Sequence, residues 1–194
     1  MPTAANPNLL EVDWSKIPAP EDDGAARHLT GLAVPDLALP ATDGNTVSLA
    51  RLAGRTVVYA YPRTGRPGQI AFVENWDTIP GARGCTPQSC AFRDRFGALS
   101  AAGVAHVFGV STQDTEYQRE AVQRLHLPFP LLSDADLSLT KALTLPTMTV
   151  AGRTLLKRFA LVLDDGRIAK VFYPVFPPDR NVHEVLAWLA ARQK

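Results

Sequence analysis

An α/β fold, with a mixed central sheet flanked by helices, is predicted by three features of the sequence. From Leu32 onward, short apolar runs alternate with amphipathic stretches, the punctuation of β-α-β units. Asp164-Asp165-Gly166 joins two strand-like runs into an antiparallel hairpin, so the sheet is not wholly parallel. The last helical stretch carries Val182, Val185, Leu186 and Leu189 on one face.

The elements follow in order. Residues 1–28, rich in Pro, Asp and Ala, predict an extended arm pinned by Trp14, ahead of one domain over 29–194. Thr56 to Tyr61 is a buried strand. A helix opens at Cys85: Pro87 suits a first turn, where its missing N–H is no loss, and Ala91, Phe92, Phe96 and Leu99 recur until Gly103 ends it. Val104 to Val110 is a strand and Thr115 to Leu125 a helix. Leu156 to Leu163 and Arg167 to Val175 are the hairpin strands. Asn181 and Glu184 are spaced as a capping box for the last helix. This order suits a thioredoxin-like fold.

Composition bounds the function. The chain has 194 residues, a formal charge of +1 and 46% hydrophobic residues, enough for one good core and no surplus for nucleic acid or anionic membranes. No apolar run reaches membrane-spanning length, and the N-terminus lacks a signal-like apolar stretch. Two cysteines are too few for a disulfide framework, so the expected compartment is the cytoplasm.

Both thiols lie in Gly84-Cys85-Thr86-Pro87-Gln88-Ser89-Cys90. Unpaired N–H groups at a helix start favour a thiolate at Cys85, and Arg83 adds a nearby charge. Such a thiolate is a nucleophile. Core filling is the competing reading, and Cys90, inside the helix, suits a structural role as well. Structural zinc needs four ligands, whereas His28, His106, His126 and His183 are scattered, so no metal is expected.

GCTPQSCAFRD resembles the active-site segment of the peroxiredoxins, in the bacterioferritin-comigratory-protein or peroxiredoxin Q branch. The resemblance extends upstream through VPDLALPATDGNTVSLARLAGRTVVYAYP. Downstream it includes GVAHVFGVSTQ, FPLLSDADLSLTKAL and RFALVLDDGRIAKVFYPV, and so covers residues 32 to 192. It implies a thioredoxin-like fold, no cofactor, and a thiol-dependent peroxidase acting on hydrogen peroxide and organic hydroperoxides.

By that resemblance Cys85 is the peroxidatic cysteine and Cys90 the resolving one, joined in an intramolecular disulfide that thioredoxin or a similar dithiol reduces. One chain then suffices, so a monomer is compatible. Arg158 stands at the family's arginine, and Gln88 where relatives place a polar residue that orients it. Pro62, Thr86, Gln88 and Arg83 are the expected substrate contacts; Thr86 also suits a helix cap. Tyr61 is expected as a pocket wall, and Arg93 and Asp94 as a solvated helix face. Residues five apart on an α-helix lie about 8.6 Å apart at Cα, beyond the roughly 7 Å a disulfide tolerates. The helix must therefore unwind for the bond to form.

The sequence departs from the family at one place. The family's Pro-x-x-x-Thr-x-x-Cys has no counterpart: Ala82 holds the threonine's position, and the stretch from Pro62 to Cys85 is about fifteen residues longer than the pattern, as functional loops often are. Pro62, Pro67 and Pro80 are candidate shields for the cysteine. Residues 63–84 are expected to border the pocket and to supply the missing hydroxyl from Thr64 or Thr78. Two further readings stand beside peroxidase: a redox sensor that reacts once, and a thioredoxin-type oxidoreductase, against which the absence of Cys-x-x-Cys counts.

Overall fold

The computed structural model of the chain describes residues 12–69 and 71–192. Residues 1–11 of the expected arm lie outside the described residues. In chain order the elements are β1 (Leu39–Pro40), β2 (Thr46–Val47), β3 (Arg55–Ala60), α1 (Cys85–Asp94), α2 (Phe96–Ala101), β4 (Val104–Ser111) and α3 (Thr115–Leu125). Then come β5 (Leu131–Ser133), α4 (Ser138–Leu143), β6 (Thr147–Val150), β7 (Arg153–Leu156), β8 (Phe159–Asp164), β9 (Arg167–Phe172) and α5 (Asn181–Ala191).

Five strands form the central sheet in the order β5-β4-β3-β8-β9. β3, β4 and β5 run parallel, while β8 is antiparallel to β3 and β9 to β8. Side chains alternate across β3, so each face builds its own core. Val58 and Ala60 join Leu39, Phe108, Leu132, Leu143 and Leu161 on one face. Val57, Tyr59 and Tyr61 join Phe92, Leu99, Leu125, Val162, Val185 and both cysteines on the other. The two thiols thus lie on the face covered by α1 and α5.

Tyr59 anchors α1 to the sheet. Its register partners are Gly109 and Ala160, which leave room for the ring. A Cβ at Gly109 would stand 2.7 Å from Tyr59 Cζ and 2.6 Å from a Leu131 methyl. Phe92 stacks on Tyr59 with centroids 4.4 Å apart, and Tyr59 Oη donates to Ser89 Oγ at 3.1 Å. One face of α1 is therefore fixed both by ring stacking and by a buried polar contact.

The hairpin forms as expected: Asp165 and Gly166 both have positive φ, 47° and 74°, which is the type I′ geometry that matches strand twist. Three elements differ from the expectation. The helix from Cys85 breaks at Arg95 (φ −106°, ψ 9°) and resumes as α2. The apolar run from Leu156 to Leu163 is not one strand: Leu156 ends a β6–β7 hairpin, Lys157 N donates to Pro146 O, and Arg158 turns inward before β8 starts. The expected strand to Val175 stops at Phe172, before Pro174, which cannot extend a ladder. No helix of the described residues is long and apolar enough to cross a membrane.

The stretch after β3 is docked onto the body by cations and rings. Arg63 lies over both Phe72, at 4.7 Å, and Tyr117 of α3, at 4.6 Å. Phe72 in turn meets Trp76 edge to face, and Arg124 Nη2 donates to Gly65 O at 3.0 Å. Near the chain start, Trp14 opens a single 3-10 turn, Trp14–Lys16, and its Nε1 donates to Asp179 Oδ2 at 3.2 Å.

Candidate active site

The site forms where α1 begins, over the end of β3 and beside the start of β8. Gly84 caps α1 at φ +105°, a left-handed conformation that suits glycine. Cys85 is the first helical residue and is 4% exposed. Its Sγ faces the carbonyl of Ala82 at 3.7 Å and receives a hydrogen bond from Arg158 Nη2 at 3.2 Å.

Arg158 is the centre of this arrangement and is 2% exposed. Its Nη2 also donates to the carbonyls of Gly81, Ala82 and Arg83 at 3.1–3.2 Å, and Nη1 donates to Gln88 Oε1 at 2.5 Å. Gln88 is held from behind, since its Nε2 donates to Asn181 Oδ1 at 3.1 Å. Among the described residues no carboxylate pairs with Arg158. The other acceptors of its guanidinium are neutral amide oxygens, so Cys85 Sγ is its one thiol partner.

The expected site residues differ in where they lie. Arg158 bonds both Cys85 and Gln88 directly, while Thr86 is buried next to Cys85 in the chain and Pro62 is buried just beyond the end of β3. Arg83 contributes its carbonyl, because its guanidinium turns to Asp77, with Nη1 at 2.9 and 3.0 Å from the carboxylate oxygens. Cys90 lies further along α1; both thiols are free and buried. Burial pushes the Cys90 thiol up, which keeps it protonated and a weak nucleophile while α1 is folded. Burial likewise pushes the Tyr59 and Tyr61 phenols up, so neither is a base here.

Several local expectations are corrected. Thr86 does not cap α1: Gly84 holds the cap position, with no side-chain cap bond. Asn181 does not open a capping box, since it sits inside α5 and its side chain accepts from Gln88. The hydroxyls of Thr64 and Thr78 are not turned to the sulfur. Thr64 Oγ1 donates to Gln113 Oε1 at 3.0 Å, and Thr78 Oγ1 to Asn75 O at 2.8 Å. Pro67 and Pro80 are exposed, which leaves Pro62 as the buried proline of the three. Arg93 bonds Asp94 as a surface pair and also reaches the carbonyl of Leu125.

The long segment therefore serves the site through its backbone. Its last carbonyls, at 81–83, fix the arginine that meets the sulfur. Gly81 and Arg158 also line a cleft of about 340 Å³, together with Pro20, Pro80, Met148, Lys157 and Tyr173.

Comparison with known proteins identifies the family. The Redoxin family model matches residues 29–189. Peroxiredoxin Q of Oryza sativa subsp. japonica, a chloroplastic protein by name, is 34% identical over 158 residues, 80% of this chain and 64% of that protein. The chain thus spans less than two thirds of that relative's length. Peroxiredoxin Q of Sedum lineare is 32% identical over 166 residues, 84% of this chain and 79% of the relative. Among solved structures, peroxidoxin BcpB of Mycobacterium tuberculosis matches with a TM-score of 0.65 at 25% identity, covering 84% of this chain and 96% of that one. A PrxQ mutant of Xylella fastidiosa shares the thioredoxin-like fold at a TM-score of 0.67 and 20% identity, over 85% of this chain and 97% of that one. With a matching family model over most of its length, and a cysteine and arginine in contact at the head of α1, the chain belongs to the Redoxin family, among the peroxiredoxin Q proteins.

Proposed function

We propose that the chain is a thiol-dependent peroxidase reducing hydrogen peroxide and organic hydroperoxides, its catalytic domain being 29–194 with 1–28 as an arm. The observation that carries this is the Arg158 guanidinium bonded to Cys85 Sγ at 3.2 Å in a buried site. The Cys85 sulfur attacks one peroxide oxygen; the S–O bond forms as the O–O bond breaks, the sulfur becomes a sulfenic acid, and the other oxygen leaves protonated as water or an alcohol. Charge moves from sulfur to the departing oxygen in that step. A cation held by three carbonyls and Gln88 is already in place beside it, with no reorganisation required.

In the second step Cys90 attacks the Cys85 sulfenic sulfur, an S–S bond forms and water leaves. An external dithiol, thioredoxin or one like it, then reduces the bond and is itself oxidised to a disulfide. Pro62 and Thr86 wall the peroxide position and Gln88 orients Arg158. The proposed setting is the cytoplasm, with no nucleic acid or membrane partner and with a monomer sufficient for the cycle.

A steady-state assay tests the reading. With a thioredoxin system present, the protein is expected to consume many equivalents of hydrogen peroxide and of an alkyl hydroperoxide per chain. Consumption that stops at one equivalent while the reductant remains active supports a sensor instead.

A further inference from the structure

We propose that Trp14 is a positioning residue that latches the Cys85 turn in its folded form and so sets how fast Cys85 reaches Cys90. The proposal rests on the peroxidase reading above. Its starting point is Gly84, the residue on which the first turn of α1 pivots. A Cβ built there would lie 2.6 Å from Pro178 Cγ and 2.7 Å from Trp14 Cη2. The indole ring therefore rests directly on the backbone that precedes the nucleophile.

The ring is fixed from two sides. Nε1 donates to Asp179 Oδ2 at 3.2 Å, and the ring meets Phe176 edge to face at 5.9 Å. Trp14 belongs to neither hydrophobic core. It comes from a short 3-10 turn whose Asp13–Lys16 ion pair is exposed. An aromatic side chain placed across a helix start, by a turn with little stability of its own, is suited to restrain that start and not to build the core.

The disulfide requires the restrained segment to move. Cys85 and Cys90 are both within intact α1, where residues five apart are separated by about 8.6 Å at Cα. Closure therefore proceeds through an unwound first turn, which forfeits the indole's contacts on Gly84. The sulfenic acid has two fates meanwhile. Attack by Cys90 forms S–S and releases water, whereas a second hydroperoxide transfers an oxygen to the sulfur, giving a sulfinic acid and an alcohol or water. By holding the turn, Trp14 lengthens the life of the sulfenic acid and moves the partition toward the sulfinic acid.

The test uses the full chain with Trp14→Ala and Trp14→Phe. After one equivalent of hydrogen peroxide, closure followed by rapid quench and mass spectrometry is expected to be about three- to tenfold faster in Trp14→Ala, the size of a lost aromatic contact. Trp14→Phe should fall between. Under excess peroxide the sulfinate fraction should drop by a similar factor. In the reduced proteins, amides 86–90 should exchange faster in Trp14→Ala while α5 stays protected. Unchanged exchange at 86–90 overturns the latch whatever the peroxide chemistry, and so does faster exchange with an unchanged closure rate. Should neither protein form a sulfenic acid, the peroxidase reading fails and the exchange result alone decides the latch. If Trp14→Ala loses protection throughout, Trp14→Phe decides the latch by the same criteria.

Discussion

Cys85→Ser is expected to abolish hydroperoxide consumption, whereas Cys90→Ser should leave the first oxidation intact and trap a sulfenic acid on Cys85 that a dimedone-type probe captures. The asymmetry follows from position. Cys85 is the first residue of α1 and accepts a hydrogen bond from Arg158, while Cys90 is inside the helix with its thiol pushed up by burial. A serine hydroxyl in place of Cys85 is too weak a nucleophile at neutral pH to open the O–O bond. Equal first-step rates in wild type and Cys85→Ser would remove Cys85 from the chemistry altogether.

Arg158→Met should lower peroxidase activity by roughly two to three powers of ten, the usual loss when one preorganised donor to developing charge is removed. The substitution also releases the carbonyls of 81–83 and leaves Gln88 Oε1 without its donor. Melting must therefore be followed alongside rate. Activity above about half of wild type in a folded Arg158→Met protein, a loss under 1 kcal/mol, would contradict a role at the reacting sulfur.

Local signals were sufficient for much of the fold. β3, α3, the type I′ hairpin and the start of α1 follow from apolar period and turn chemistry, which act over a few residues. The start of α1 placed Cys85 correctly, but the resemblance was needed to choose Arg158 from among many arginines. What could not be read depends on distant partners. Arg158 interrupts an apolar run because its partners are at 81–88, and this broke the strand expected from Leu156. Asn181 has the spacing of a cap, yet its side chain serves Gln88 across the helix pair. No local pattern announces that Trp14 lies on Gly84 or that Thr64 spends its hydroxyl on Gln113.

In the proposed cycle one thiol reacts at a folded helix start, which then unwinds to complete the bond. Hydrogen exchange measures this directly, on protein oxidised by one equivalent of peroxide with its Cys85–Cys90 bond confirmed by mass spectrometry. Opening a helix end is inexpensive beside global unfolding. The amides from Thr86 to Phe92 should exchange faster in the oxidised than in the reduced protein, while Val182 to Ala191 of α5 remains equally protected in both. Unchanged exchange over 86–92 with the disulfide in place would mean that the bond forms without unwinding α1.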